Sequence, residues 1–227
     1  MGGFFQTVEI LIPSLLRGAW MTVRLFGLTI IFALPLGLPF ALGSNCRIPP
    51  LRWLSRTYIW VFRGTPLMLQ LFFFYFFLPI FFRSLGSGLM MDAFPTAVLT
   101  FVLNYAAYFA EIYRGGIESI DRGQYEAAKA LGISRTRTMY GIILPQTVKR
   151  VLPPIFNEAI TLVKDTALVN VIGVSELLKV AKGAVNRDQD ATAYLLAALI
   201  YLIMTFLLTM LARLLEKRFS RYERKES

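Results

Sequence analysis

Charged side chains stand inside a long apolar stretch of this sequence, where charge is rare. Glu158, Lys164 and Asp165 interrupt the otherwise apolar residues 151–174. Charge at membrane depth costs free energy and usually serves a function. Glu158 and Asp165 lie seven residues apart and therefore share one helix face, whereas Lys164 points elsewhere. In a substrate site, either acid would receive an ammonium group.

Two interpretations fit this charged segment. Unpaired charges would not persist at membrane depth, so a structural ion-pair cluster between helices would explain them without a ligand. In a substrate site, Lys164 would either pair with an acid or contact a carboxylate. We expect Glu158 to discriminate side chains, because an acid there favours arginine, lysine or histidine over glutamate.

The tripeptide Gly64-Thr65-Pro66 is a second candidate element. Residues 51–82 would measure about 48 Å as one helix at ~1.5 Å per residue, longer than a ~30 Å hydrocarbon core. We predict a break here, with Pro66 at the first position of a new helix and Thr65 as its cap. The first free amides of that helix would suit a substrate carboxylate. A proline kink that only packs helices is the alternative.

The elements that must hold these residues are membrane helices. Of the 227 residues, 56% are hydrophobic and 17% are charged, which argues against a soluble domain and against disorder. Four runs without charge approach the ~20 residues that a bilayer requires; they are 25–42, 67–82, 93–110 and 191–212. We predict an all-α integral membrane protein, one transmembrane domain over 1–227, with spans at about 18–43, 55–82, 93–113, 151–174 and 191–213.

Lys and Arg are distributed unevenly between the loops. The net charge is +10, which on an apolar chain indicates loops beside anionic membrane lipid, and no nucleic-acid partner is expected. Alternate sides of the five spans hold 5 and 16 Lys and Arg residues, which predicts an outer N-terminus and a cytoplasmic C-terminus. The basic tail from Arg213, with Arg221, Arg224 and Lys225, is expected to anchor the last span at the inner leaflet.

Missing residue types exclude several kinds of chemistry. The sequence has no His and a single Cys, and no Gly is followed by Lys. His-based catalysis, a Cys-ligated zinc site and a phosphate-binding loop for ATP are therefore excluded. No Lys or Arg occurs in the first sixteen residues, so no cleavable signal is predicted. A self-sufficient secondary transporter or channel would also place charges at mid-membrane, and a membrane enzyme is disfavoured.

The loop at about 114–145 is predicted to contain a short helix. Residues 124–131 are good helix formers, and Gly132 can end them in a left-handed cap. Glu126 is expected in the first turn, where the helix dipole favours an anion. Small apolar residues three and four positions apart would form one outward face; they are Ala127, Ala128 and Leu131. A helix that only connects two spans would show the same features.

The spacing in this loop resembles the EAA loop of ABC importer permeases. Glu126-Ala127-Ala128 is followed by Gly132 after three residues, and then by Ile142 and Leu144-Pro145. Other segments resemble the polar amino acid branch of that family; they are Arg63-Gly64-Thr65-Pro66 with Gln70, 107–117, Asn157-Glu158, Lys164-Asp165-Thr166 and 171–173. The resemblance covers about residues 10–220.

The resemblance implies a type I ABC importer permease fold in the bacterial cytoplasmic membrane. The implied substrate is a polar amino acid, bound near Gly64, Thr65, Gln70, Asn157, Glu158, Lys164 and Asp165. The implied coupling residues for a separate ATPase are Glu126, Ala127, Ala128, Leu131 and Gly132. That ATPase would bind ATP and Mg²⁺, while this chain would hold no cofactor or metal and catalyse no reaction. A second permease subunit, identical or paralogous, and an external substrate-binding protein would complete the importer.

Overall fold

The computed structural model describes residues 2–85 and 92–220, with side chains described over 7–85 and 92–218. These residues form helices and contain no strand, in agreement with the predicted all-α class. Of the predicted basic tail, Arg221, Arg224 and Lys225 lie outside the described residues.

Ten α-helices follow one another along the described residues. They are α1 (Gly2–Ser44), α2 (Pro49–Gly64), α3 (Leu67–Phe72), α4 (Leu78–Ser84), α5 (Ala93–Glu118), α6 (Arg122–Ala130), α7 (Arg135–Thr138), α8 (Leu144–Asp165), α9 (Leu177–Asp188) and α10 (Thr192–Ser220). Two π-helical segments, Phe73–Phe77 and Met139–Ile143, join α3 to α4 and α7 to α8, and the 3₁₀ segment Thr166–Ile172 continues α8.

Four described helical stretches are long and apolar enough to cross a membrane. They are Thr7–Ser44, Leu67–Ser84, Ala93–Glu118 and Thr192–Arg218. The predicted fourth crossing, 151–174, is not among them, because α8 carries charged residues along its length. Five crossings therefore stay a prediction.

The first helix begins well before the predicted start of the first span at residue 18. Leu11 and Leu15 are buried against Leu177, Ala181 and other residues of α9 and α10. This contact is long-range in sequence, which is why the sequence pattern alone did not extend the helix. Pro13, Pro35 and Pro39 all lie inside α1.

Helices α1 and α5 form the most extensive helix pair and the centre of the core. Ala33 and Ala41 are almost fully buried, and Gly37 lies between them on the same face of α1. A Cβ atom on Gly37 would lie 2.9 Å from the carbonyl oxygen of Ala106 and 3.0 Å from the amide nitrogen of Ala110. The small side chains therefore let the two backbones approach closely, as in other membrane helix pairs.

Helix α9 is fixed to its neighbours by a buried carboxylate. Glu176 is fully buried and accepts hydrogen bonds from the amides of Leu178 and Lys179, both at 2.7 Å. Its carboxylate also accepts from the hydroxyl of Tyr201 in α10 at 2.9 Å. The cap satisfies the first amides of α9 and joins α9 to the last helix.

We predict that Gly37→Ala weakens the contact between α1 and α5. The new methyl group would overlap backbone atoms of α5, and overpacking of this kind costs about 1–3 kcal/mol. The melting temperature of the purified protein in detergent should fall. Gly27→Ala is the matched control, since its Cβ would meet no atom within 4 Å, and it should melt at the wild-type temperature or slightly above it. Equal melting of both variants would contradict the close approach.

Candidate functional site

The predicted break in the second span is present. Helix α2 ends at Gly64 and α3 begins at Leu67. The predicted capping is wrong in two details: Pro66, with φ −61° and ψ 132°, is the N-cap rather than the first helical residue, and the hydroxyl of Thr65 donates to the carbonyl of Val61 at 2.8 Å. Thr65 is extended, as expected for a residue before proline, and its hydroxyl therefore serves the end of α2.

The break leaves a carbonyl group without its helical donor. The carbonyl of Phe62 would accept from residue 66 in a continuous helix, but Pro66 has no N–H. Two buried amide side chains replace that donor: Gln70 donates to the Phe62 oxygen at 2.9 Å and Asn104 at 3.1 Å. Asn104 also donates to the Gln70 oxygen at 3.0 Å. Gln70 thus supports the break from behind.

A cavity of about 540 Å³ opens beside the break. It is lined by Arg63, Gly64, Thr65, Pro66, Leu67, Asn104, Tyr105, Tyr108, Glu158, Thr161, Asp165 and Leu168. These residues come from α2, α3, α5, α8 and the 3₁₀ segment that follows α8. The cavity thus places the broken helix opposite the two acids of α8.

The two acids in the cavity have different surroundings. Asp165 accepts a hydrogen bond from the Tyr105 hydroxyl at 2.8 Å. Glu158 is partly buried, and both the repulsion of Asp165 and the attraction of Arg63 act on it. Neither acid forms a salt bridge with a Lys or Arg of the described chain. Direct ion pairs to these two acids are therefore absent from the described part of this subunit, and charged groups act on the acids at longer range.

Only some of the predicted substrate residues line the cavity. Gly64, Thr65, Glu158 and Asp165 do so. Gln70 lies behind the break, and the exposed Asn157 and Lys164 are not lining residues.

The prediction missed several lining residues. The missed side chains with polar atoms are Arg63, Asn104, Tyr105, Tyr108 and Thr161. Asn104, a polar residue within a predicted span, and Arg63, at the edge of the break, were the signals that could have indicated them.

Among the described residues, no group of three or more Cys, Asp or Glu could hold a metal ion.

An ionic network lies where α5 ends. Arg114 binds Glu111 through two nitrogens, one of them at 3.0 Å, and contacts Glu118 at 2.5 Å. Asn45, after α1, donates to Glu118 at 3.1 Å. The network fixes the end of α5 next to the turn that leads into α6.

The predicted short helix in the loop is α6, but it begins earlier than expected. The carboxylate of Asp121 accepts from the amide of Gly123 at 2.6 Å and starts the helix. Glu126 therefore lies in the second turn rather than the first, and the predicted dipole contact is wrong. The outward face is also smaller than predicted, because Ala128 is buried while Ala127 and Leu131 are exposed.

Gly132 ends α6 in the predicted left-handed conformation, with φ +70°. Its amide donates to the carbonyl of Lys129 at 3.0 Å, and the amide of Ile133 donates to that of Ala128 at 2.9 Å. This pair of bonds is a Schellman motif, which favours glycine at the left-handed position. The motif turns the chain sharply and leaves Leu131, which is 77% exposed, at the end of the helix.

Comparison with known families identifies a match over most of the chain. Residues 33–221 match the family described as binding-protein-dependent transport system inner membrane component. The L-cystine transport system permease protein TcyB of Bacillus subtilis (strain 168) is 40% identical over 212 residues, with 92% of this chain and 88% of the relative covered. The arginine transport system permease protein ArtQ of the same organism is 38% identical, with 91% and 93% covered.

Further similarities extend to another organism and to solved structures. The glutamine transport system permease protein GlnP of Escherichia coli (strain K12) is 38% identical, with 91% of this chain and 93% of the relative covered. A crystal structure of an amino acid ABC transporter with histidines superposes with a TM-score of 0.86 at 35% identity, covering 95% of this chain and 98% of that chain. The MetNI methionine ABC transporter, at 18% identity and a TM-score of 0.72, shares the fold.

We predict that Gln70→Leu destabilises the helix break. The substitution keeps the size of the side chain but removes one of the two donors to the Phe62 carbonyl. It also leaves an N–H group of Asn104 without its acceptor, and a buried unsatisfied group costs about 1–3 kcal/mol. The melting temperature in detergent should fall clearly. Gln146→Leu is the matched control, because the Gln146 side chain donates to Ile142 in the adjoining π-helical segment and, at 3.5 Å, to Gln124. An unchanged melting temperature for Gln70→Leu would refute the supporting role.

Proposed function

This chain belongs to the binding-protein-dependent transport system inner membrane component family, as a permease subunit of an amino acid ABC transporter, and we propose that the cavity beside the helix break is its substrate site. The observation that carries the proposal is the pairing of a helix start with two carboxylates across one cavity. Such subunits are non-catalytic, and ATP hydrolysis belongs to a partner.

The polarity of the cavity suits an amino acid backbone. At one side, Leu67 begins the helix that runs through Ser84, and a helix start carries partial positive charge that favours a carboxylate. At another side, Glu158 and Asp165 supply negative charge for an ammonium group. In membrane transporters, the starts of broken helices often face the anionic group of a substrate.

The proposed preference is for amino acids with a cationic side chain. The α-ammonium group requires one carboxylate, for which Asp165 is already oriented by Tyr105. Glu158 is then available for a second positive group, such as a guanidinium or an amine. The relatives are named for the transport of cystine, arginine and glutamine. Membership of the family therefore does not specify the side chain of the substrate, and the proposed preference rests on the residues of the cavity.

We assign coupling to α6 and its C-terminal turn. Exposed residues on this helix include Glu126, Ala127 and Leu131, which offer a small apolar contact beside an acid. The rigid turn at Gly132 supports their position. In the proposed complex, a cytoplasmic ATPase holding ATP and Mg²⁺ receives α6, a second permease subunit completes the path, and an external binding protein delivers the amino acid.

The charge distribution supports one orientation for this assembly. The sides that alternate across five proposed crossings carry 5 and 16 Lys and Arg residues, and the richer side belongs in the cytoplasm. Helix α6 then faces the cytoplasm, where ATP is available, and the N-terminus is outside. The basic residues after Arg213 lie beside anionic lipid in this orientation.

We predict that Glu126→Lys uncouples ATP hydrolysis from uptake. The substitution reverses an exposed charge on α6 without touching the core, so the protein should still reach the membrane. Uptake by proteoliposomes that contain the complete importer should fall at least about tenfold, since ~1.4 kcal/mol of lost contact energy corresponds to that factor. Glu216→Lys, a charge reversal near the end of α10, should retain uptake.

Two results would contradict the coupling role. The first is normal uptake and hydrolysis by the Glu126→Lys importer. The second is uptake by the purified permease alone, in vesicles without any ATPase, which would instead support a secondary transporter.

We predict that Glu158→Gln weakens the binding of cationic amino acids more than the binding of neutral ones. Loss of one charge-assisted hydrogen bond, worth about 1.5–3 kcal/mol, should reduce competition by arginine and lysine at least about tenfold. Competition by glutamine should change little. Uptake competition with the twenty amino acids gives the profile, and Glu9→Gln, at an exposed acid of α1, is the control. An unchanged profile would reject cationic specificity.

A further inference from the structure

Arg63 lies between two cavities of the subunit. It occupies the last turn of α2, directly before the helix break, and it lines the proposed substrate cavity. It also lines a second cavity of about 290 Å³ that contains Glu111 and Arg114. The Arg63 residue therefore borders both spaces.

The guanidinium of Arg63 is held by weak contacts. Its Nη1 atom lies 3.8 Å from Oε1 of Glu111, beyond hydrogen-bond distance. The carboxylate of Glu111 is already engaged by two hydrogen bonds from Arg114. Among the described residues, Arg63 also attracts the carboxylate of Glu158 across the cavity. The guanidinium carbon lies 5.5 Å from the centre of the Tyr108 ring, which orients the group by a cation–π interaction.

The surroundings of Arg63 favour a carboxylate as its ligand. The side chain is 40% exposed and lines the proposed substrate cavity. A guanidinium binds a carboxylate through two parallel hydrogen bonds, and the Gly64-Thr65-Pro66 break lies beside it in the same cavity. The two acids Glu158 and Asp165 are available in that cavity for the positive end of the same molecule.

We propose that Arg63 binds the α-carboxylate of the transported amino acid, and that Glu111 competes with the substrate for it. The inference rests on the proposed function, because it assumes that the cavity is the amino acid site. In the structure, Nη1 of Arg63 lies 3.8 Å from Oε1 of Glu111. In the occupied subunit, the substrate carboxylate takes the guanidinium, while Arg114 keeps Glu111 paired.

The test compares an amino acid with its carboxamide. The two differ in the charge of one group, so a residue that recognises the carboxylate must distinguish them. The complete importer, assembled in lipid nanodiscs, is titrated with L-arginine and L-argininamide, and with L-glutamine and L-glutaminamide. Binding is measured by calorimetry, and ATP hydrolysis confirms that each variant is assembled.

Arg63→Gln should weaken the binding of the free amino acid at least about tenfold, the factor expected for a lost bidentate ion pair. The binding of the carboxamide should not change. Arg63→Lys should restore part of the loss, since it keeps the charge without the planar fork. Glu111→Gln should strengthen the binding of the free amino acid several-fold and leave the binding of the carboxamide unchanged. Arg56→Gln is the control: Arg56 lines only the second of these two cavities and donates to Ser44.

Distinct results overturn the two proposals. If Arg63→Gln weakens acid and amide equally, or neither, or if the wild type binds them equally, Arg63 does not recognise the carboxylate. If Glu111→Gln leaves acid binding unchanged, there is no competition. If the assembled wild-type importer binds these amino acids but Glu158→Gln and Asp165→Asn do not alter binding, the cavity is not the substrate site, and the proposed function fails together with the role of Arg63.

Discussion

The interaction on which the candidate site depends is the bond between the Gln70 amide and the carbonyl of Phe62. In a membrane, a backbone carbonyl that loses its helical donor has no water to replace it. Pro66 creates such a carbonyl, and the buried side chains of Gln70 and Asn104 satisfy it. Gln70 satisfies this carbonyl without lining the cavity, so Gly64, Thr65 and Pro66 of the break can line it.

Gln70 and Asn104 also join the break to α5. Helix α5 contacts the other parts of the structure that matter for the site. Its small-residue contact with Gly37 of α1 sets the core. Tyr105 of α5 orients Asp165 in α8. The last turns of α5 contain the ion pair between Glu111 and Arg114. Helix α5 therefore contributes residues both to the cavity beside the break and to the ionic network. A shift of α5 would move both, which gives a physical route between an occupied cavity and α6.

Local patterns predicted several elements correctly. The break followed from the length of the second span and from Pro66, and the cap of α6 followed from Gly132, because both depend on backbone conformations that adjacent residues control. Predictions that needed a distant partner were less accurate. The start of α6 was misplaced because Asp121 competed as a cap, and Ala128 faces inward because the fold around α6 determines which side is covered.

By itself, the sequence determined the all-helical class, the apolar stretches, the helix break, the two acids on one face of α8 and the Glu-Ala-Ala loop. Composition, helical spacing and proline geometry act over a few residues, so they can be recognised in a linear chain. Only the tertiary structure decided that Gln70 supports the break, that Lys164 and Asn157 stand apart from the cavity, and that Arg63 and Tyr105 join it. Most of these outcomes depend on contacts between separate helices, such as the bonds from Asn104 to Gln70 and from Tyr105 to Asp165, and no local pattern specifies the relative rotation of those helices.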